Sequence, residues 1–165
     1  MGPRSSPSWF GARYPSLEDF EAYAWELGAV VVYGPVMTAA YFPGSDWELP
    51  LIVVPQDLGL LAKAWALAHE LGHLVQHAGP KGELSWSKNE AQANRWAACA
   101  LIPEARVQAY RNASIDAFVG ALSANYEDIP LMNCTQRRLA GRIARIRLKL
   151  LEVRHGNQDL SSVPV

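Results

Sequence analysis

The strongest constraint on the fold is an H-E-x-x-H motif, which begins at His69 and ends at His73. Residues four positions apart on a helix lie on one face, one turn above each other, so a helix would present both imidazoles to a single metal ion. Glu70 points towards the same site and can act as a general base. The motif therefore requires a helix at this point of the chain and a second element that supplies a further ligand.

The sequence around the motif is typical of a helix with one buried face. No proline occurs from Asp57, the predicted N-cap, to Ala78, and Gly79-Pro80 follows as a stop signal. His77 continues the i, i+4 series, but it lies about 12 Å along the helix axis from His69. One ion therefore cannot be bound by His69, His73 and His77 together. The apolar residues that recur at helical spacing are Leu60, Leu61, Ala64, Leu67, Ala68, Leu71 and Val75.

A third ligand is expected on a second helix, which the sequence places at residues 87–98. Glu90 follows His73 across a loop rich in glycine and proline, which lets the second helix turn back against the first. Asn94 lies one turn beyond Glu90 and would orient a histidine through its second ring nitrogen. Spacing alone leaves an alternative open, because Ser87 and Glu90 also form a capping box that would only satisfy the backbone at the helix start.

The order of the remaining elements favours an α+β fold, with a small antiparallel three-stranded sheet packed against a helical bundle that includes the H-E-x-x-H helix. A capping box formed by Ser16 and Asp19 marks the start of a first helix that ends at Gly28. Strands are predicted at 29–33, 37–42 and 47–54, and further helices at 104–110, 114–122 and 135–153.

Composition and length indicate one domain. The chain has 165 residues, half of them hydrophobic, which is enough to bury a core. We predict a flexible tail at 1–14, a single domain at 15–155 and a C-terminal tail at 156–165. A net charge of −1 gives no general attraction to nucleic acid or to a membrane. The sequence shows no signal peptide and no long apolar run, and its two cysteines do not indicate a disulfide framework. These features favour a cytoplasmic protein.

The last predicted helix is strongly basic and has an apolar stripe. One interpretation is a helix packed on the core with a solvated basic face. The other is a docking surface for an acidic partner or for a DNA-bound substrate. The basic residues, against the single acid Glu152, are Arg137, Arg138, Arg142, Arg145, Arg147, Lys149 and Arg154.

Parts of the sequence resemble the ImmA/IrrE family of metallopeptidases, over roughly residues 29–103. That family typically shows H-E-x-G-H followed by a segment close to E-x-E-A-N-x-F-A-x-x-L-L-x-P. Gln92 and Trp96 stand where glutamate and phenylalanine are common in the family, and neither substitution touches the proposed ligands. The segments on which the resemblance depends are His69–His73, Asn89–Ala98 and Leu101–Pro103.

The resemblance implies a zincin-like fold with a gluzincin site, in which His69, His73 and Glu90 bind one Zn²⁺ per chain and Glu70 activates water. It implies a zinc-dependent endopeptidase that cleaves a specific protein partner, such as a helix-turn-helix transcriptional repressor. The alternative is a non-catalytic zinc-binding interaction module, for example in a toxin–antitoxin pair. Structural zinc sites usually have four protein ligands, so three ligands and a base favour catalysis.

Peptide hydrolysis also needs a donor for the tetrahedral oxyanion, for which Tyr110, Arg106 and Tyr126 are candidates. Glu104 and Asp116 are rival carboxylates for the metal, but neither has an asparagine or aspartate one turn away on a clear helix. We expect the substrate to bind in an extended form, as an added strand along an edge of the small sheet.

Overall fold

A computed structural model of the chain describes residues 6–45, 48–77, 86–126 and 134–159. Three predicted features lie outside these ranges: the stop signal Gly79-Pro80, the first residue of the third strand and the last residues of the C-terminal tail. The elements are α1 (Leu17–Glu26), β1 (Val30–Gly34), β2 (Ala40–Phe42), β3 (Leu51–Pro55), α2 (Leu60–His77), α3 (Trp86–Leu101), α4 (Glu104–Ala109), α5 (Ile115–Tyr126) and α6 (Cys134–Asp159). The predicted α+β class is confirmed.

The first helix starts at the predicted capping box. The Ser16 hydroxyl accepts a hydrogen bond from the Asp19 N–H, and the Asp19 carboxylate accepts one from the Ser16 N–H. Arg13 adds a bidentate ion pair to the same carboxylate, with both N···O distances at 2.6 Å. Phe20 and Tyr23 then bury one face of α1 in the core.

The sheet is mixed, so the prediction of an antiparallel sheet is wrong for one of its two strand pairs. β3 lies in the centre and pairs in parallel with β1, with Val30 opposite Leu51, and antiparallel with β2, with Phe42 opposite Leu51. Successive strands do alternate in direction, but β3 inserts between the other two. Burial explains this order. Ile52 and Val54 of β3 are fully buried, and in the central position the backbone of this most apolar strand is hydrogen-bonded along both of its edges.

Helix α2 is the central element of the fold, and it contacts α1, the sheet, α3, α5 and α6. It begins later than predicted, because its first turn is closed by a hydrogen bond from the Lys63 N–H to the Gly59 carbonyl at 2.9 Å. Gly59 therefore occupies the N-cap position, and Asp57 lies in the preceding turn. The interior face of α2 is fully buried at Leu61, Leu67 and Leu71.

The packed part of the chain extends upstream of the predicted domain start at residue 15. Trp9 is only 8% exposed and packs edge-on against Phe20 and Tyr23. This part of the predicted tail is therefore ordered against the core, and the remaining domain boundaries stay a prediction.

Helix α6 is anchored to the core through a buried arginine. Arg147 is 3% exposed, donates from Nε to the Ile102 carbonyl at 3.2 Å and forms an ion pair with Glu104. Within the described residues, no helix is long and apolar enough to cross a membrane.

Candidate metal centre

The two histidines of the H-E-x-x-H motif and Glu90 converge at the interface of α2 and α3. The Nε2 atoms of His69 and His73 are 3.1 Å apart. Oε2 of Glu90 lies 3.3 Å from Nε2 of His69, and Oε1 lies 3.1 Å from Nε2 of His73. Among the described residues, this is the group of side chains that can hold a metal ion together.

These three separations suit a single cation. Zinc bonds of about 2.0–2.1 Å at tetrahedral angles place neighbouring ligand atoms about 3.3 Å apart. The two imidazole nitrogens are 3.1 Å apart, and each lies 3.1 or 3.3 Å from a different oxygen of the Glu90 carboxylate, so the three side chains can reach one cation together. A site with three protein ligands is typical of catalytic rather than structural zinc.

Close packing of the two helices sets these distances. A Cβ atom added to Gly72 would lie 2.9 Å from Cα and 3.0 Å from the carbonyl oxygen of Ala93. Gly72 lies between the two histidines and Ala93 lies almost one turn beyond Glu90, so the contact brings the carboxylate within reach of both imidazoles. The glycine is required here because the obstacle to a side chain is the backbone of α3.

Glu70 is buried beside the ligands and faces the sheet. Loss of hydration on burial raises the pKa of this carboxyl to about 7, and the negative charge of Glu90 acts in the same direction. A hydrogen bond from the backbone N–H of Tyr41 to the carboxylate opposes the shift. A cation held by the ligands would lower the pKa again, because it favours the ionised form. Without a cation, burial therefore favours the protonated carboxyl, and a bound cation would favour the carboxylate form that can accept a proton.

Burial lowers the pKa of His69, and the nearby charge of Arg142 contributes, whereas Glu90 and Asn94 act in the opposite direction. A neutral imidazole is the form that binds a metal ion, so burial favours metal binding at neutral pH. Nδ1 of His69 is buried and has no hydrogen-bond partner within the described residues. Asn94 lines the cleft and its side chain hydrogen-bonds His69, and its role as the partner of a second ring nitrogen of one histidine stays a prediction.

The cleft over the site has a volume of 270 Å³ and includes two residues that the sequence analysis did not single out, Trp65 and Arg142. Trp65 lies one turn before His69 on α2, with the two rings 6.3 Å apart, and this i, i+4 spacing is the signal that identifies it. Arg142 reaches the cleft from α6, where its Cζ lies 5.9 Å from the centre of the Trp65 ring. Nothing in the sequence separates Arg142 from the other arginines of this basic helix.

The other candidate residues of the sequence analysis lie elsewhere. None of Tyr110, Arg106 and Tyr126 is among the residues that line the metal cleft. Glu104 pairs with Arg147, and Asp116 lines a separate groove.

Helix α3 begins before Ser87, the residue that would start the predicted capping box. α3 begins at Trp86, so Ser87 lies inside the helix, and the Glu90 oxygens face the histidines, which is unlike the capping-box alternative. The side chain of His77 lies outside the described residues.

The fold and the site together define an α+β domain in which two packed helices present a candidate three-ligand metal centre with an adjacent buried glutamate. Residues 24–126 match a peptidase family, Peptidase_M78, whose domain is described as IrrE N-terminal-like. The match covers more than half of the chain, so the protein belongs to this family of metallopeptidases, as the resemblance predicted. No curated protein and no solved structure matches the chain. The match ends before α6 begins.

Proposed function

We propose that the protein is a zinc-dependent endopeptidase, with His69, His73 and Glu90 as the metal ligands and Glu70 as the general base. The observation that supports this most directly is the convergence of three side chains, in which the two imidazole nitrogens lie 3.1 Å apart and each lies 3.1–3.3 Å from an oxygen of Glu90. Zinc bound there would act as a Lewis acid on the scissile carbonyl and would lower the pKa of a water molecule. Manganese and iron accept the same ligands, and nitrogen with carboxylate favours zinc.

Glu70 has the position that the reaction needs. It is next to a ligand in sequence, is buried, and lines the same cleft as His69 and Glu90. In the proposed mechanism its carboxylate accepts a proton from the attacking water and delivers that proton to the leaving amine. Burial keeps bulk water away from this carboxylate, so the transferred proton is retained in the cleft.

The substrate is proposed to bind as an extended strand along β2. Within the part of the chain that the structure describes, β2 pairs with β3 on one side only, and the Tyr41 N–H points from β2 to Glu70. Because successive peptide groups of a strand point to opposite edges, the edge that faces Glu70 is the edge that is not paired with β3. A peptide added to this edge would lie with its backbone against the general base.

Arg142 is proposed to stabilise the oxyanion in place of the three candidates considered from sequence. It lines the cleft with the metal ligands, and the Trp65 ring positions its guanidinium. An arginine is charged at every relevant pH, so it would donate to the developing negative charge without a change of its own protonation state.

The proposed substrate is a specific protein partner, such as a helix-turn-helix transcriptional repressor, and the proposed location is the cytoplasm, where such repressors act. This part of the proposal derives from the family resemblance. The small cleft is consistent with it, since 270 Å³ holds few side chains and selectivity then needs contacts outside the cleft.

Two measurements test the proposal. Mass spectrometry of the purified protein should find one zinc per chain, and Glu90→Ala should lose it while Glu26→Ala, which changes an exposed carboxylate at the end of α1, should retain it. Wild-type protein should cleave a helix-turn-helix repressor that is its partner, and Glu70→Gln should bind zinc and the repressor without cleaving.

The outcomes separate the two candidate functions. Zinc retained in Glu90→Ala would contradict the ligand assignment. Equal zinc and partner binding by wild-type protein and Glu70→Gln, with cleavage by neither, would indicate the non-catalytic interaction module instead.

A further inference from the structure

A groove between α5 and α6 is larger than the metal cleft and has no role in the proposed chemistry. Its volume is 450 Å³, against 270 Å³ for the metal cleft. Its floor is open because two glycines, Gly120 and Gly141, face it from the two helices. A Cβ added to Gly120 would meet nothing within 4 Å, and one added to Gly141 would touch only Val119, at 4.0 Å.

The groove has a mixed lining with a strong excess of positive charge. Arg137, Arg138 and Arg145 line its α6 side, and all three are exposed. Within the part of the chain that the structure describes, none of these arginines forms an ion pair with an acidic side chain. Asp116 and the apolar side chain of Ile115 stand on the α5 side.

The arginines of α6 therefore divide into groups with different surroundings. Arg147 is buried in its pair with Glu104, and Arg142 faces the metal cleft. Arg138 and Arg145 flank Gly141 at helical spacing, on the face that lines the groove. The simple interpretation of a uniformly solvated basic face does not describe this helix, since most of these side chains line concave surfaces.

The groove and the metal cleft are adjacent. Gly141 lines the groove and Arg142, the next residue, lines the cleft. Successive residues of an α-helix point about 100° apart, so the groove and the cleft open on neighbouring sides of α6. α6 thus joins a large charged groove to a small catalytic cleft.

We propose that the α5–α6 groove binds an acidic segment of the protein substrate and holds it while a neighbouring segment enters the metal cleft. The inference rests on the proposed peptidase function and adds the recognition chemistry that the small cleft lacks. Carboxylates of the segment would pair with Arg138 and Arg145, and an apolar side chain would cover Ile115 and Val119.

An acidic protein segment fits the groove better than nucleic acid does. The apolar surface of Ile115 and Val119 can be covered by an apolar side chain of a peptide, whereas it offers a phosphate backbone no partner. The net charge of the whole chain is −1, so the chain as a whole does not attract a long polyanion.

The test uses zinc-loaded full-length protein and a short fluorescein-labelled peptide of alternating glutamate and leucine, with binding followed by fluorescence anisotropy. We expect salt-sensitive binding that weakens about tenfold or more in Arg138→Glu/Arg145→Glu. The charge-neutral variant Gly120→Leu, which fills the floor, should weaken binding as well. The matched control Arg111→Glu reverses an exposed charge outside both pockets and should bind as wild type does.

Three results would overturn the inference: no binding of the peptide, an equal loss in Arg111→Glu, or tighter binding of a short duplex DNA than of the peptide. The last would indicate a nucleic-acid surface. Failure of the proposed peptidase function can be distinguished from failure of this inference. Glu70→Gln should bind the peptide as wild-type protein does, because binding in the groove does not depend on cleavage. With a cleavable partner, the groove variants should raise KM and leave kcat and zinc content unchanged.

Discussion

Replacement of Gly72 by alanine should damage the metal centre without touching any ligand. The added Cβ would lie 2.9 Å from Cα of Ala93, 3.0 Å from its carbonyl oxygen and 3.3 Å from its carbonyl carbon. Carbon atoms in good contact are about 3.5–4.0 Å apart, so α3 has to move away from α2 by about 0.6–1 Å. Glu90 moves with α3, and its oxygens then leave their positions 3.1 and 3.3 Å from the histidines.

The expected change in stability follows from two opposing effects. Overpacking of a tight helix contact costs about 1–3 kcal/mol. Alanine is better than glycine in a helix by about 0.5–1 kcal/mol, which offsets part of this cost. The free energy of unfolding of metal-free Gly72→Ala should therefore fall by about 0.5–2 kcal/mol, and zinc affinity should fall about 10- to 100-fold, the range found when ligand positioning is disturbed.

Urea denaturation of the metal-free protein and zinc competition with a chelator measure the two effects. Gly120→Ala is the matched control, because it is also a helical glycine and an added Cβ meets nothing within 4 Å. It should raise stability by about 0.5–1 kcal/mol and leave zinc affinity unchanged.

A second variant tests the cause of the effect. Ala93→Gly combined with Gly72→Ala should not restore zinc binding, because the obstructing atoms are backbone atoms that glycine retains. If Gly72→Ala were as stable as Gly120→Ala and bound zinc as wild type does, close helix packing would not be what sets the ligand distances.

Three further predictions concern other parts of the molecule. Arg142→Ala should lower kcat/KM about 100-fold at unchanged zinc content, with Arg142→Lys retaining part of the activity, as measured on a cleavable partner. Glu104→Gln should lower the free energy of unfolding in urea by about 1–3 kcal/mol, because it leaves the buried Arg147 guanidinium without its carboxylate. The Arg13 ion pair lowers the pKa of Asp19, so its stabilisation is present above the ordinary aspartate pKa and is lost as the pH falls through the lowered value. Stability measured against pH should therefore fall less steeply below about pH 4 in Asp19→Asn.

The parts of the structure that depend on local spacing could be predicted from sequence. The helical position of His69 and His73 follows from their four-residue separation, and the start of α1 follows from the capping box of Ser16 and Asp19. Glu90 was ambiguous on spacing, because the same residue fits a capping box, and only the family resemblance favoured the metal.

The order of the strands and the membership of the cleft could not be predicted in this way. The position of β3 between β1 and β2 depends on which strand gains most from burial on both sides, and no turn sequence encodes it. Arg142 comes to the cleft because α6 is anchored by Arg147 against the end of α3. That placement is a tertiary effect between distant parts of the chain, so local periodicity does not reveal it.

The hydrogen bond between the Tyr41 N–H and Glu70 means that Glu70 competes with a peptide for the Tyr41 N–H. An N–H group donates one strong hydrogen bond, and in the absence of a peptide this donor is occupied by the general base. A peptide that paired with β2 through Tyr41, as we propose for the substrate, would displace the carboxylate and free it in the same event. Proton transfer would then be coupled to correct strand pairing, and a short or mispaired peptide would leave the base engaged. Such a peptidase would spare most chains it encounters even with its metal bound.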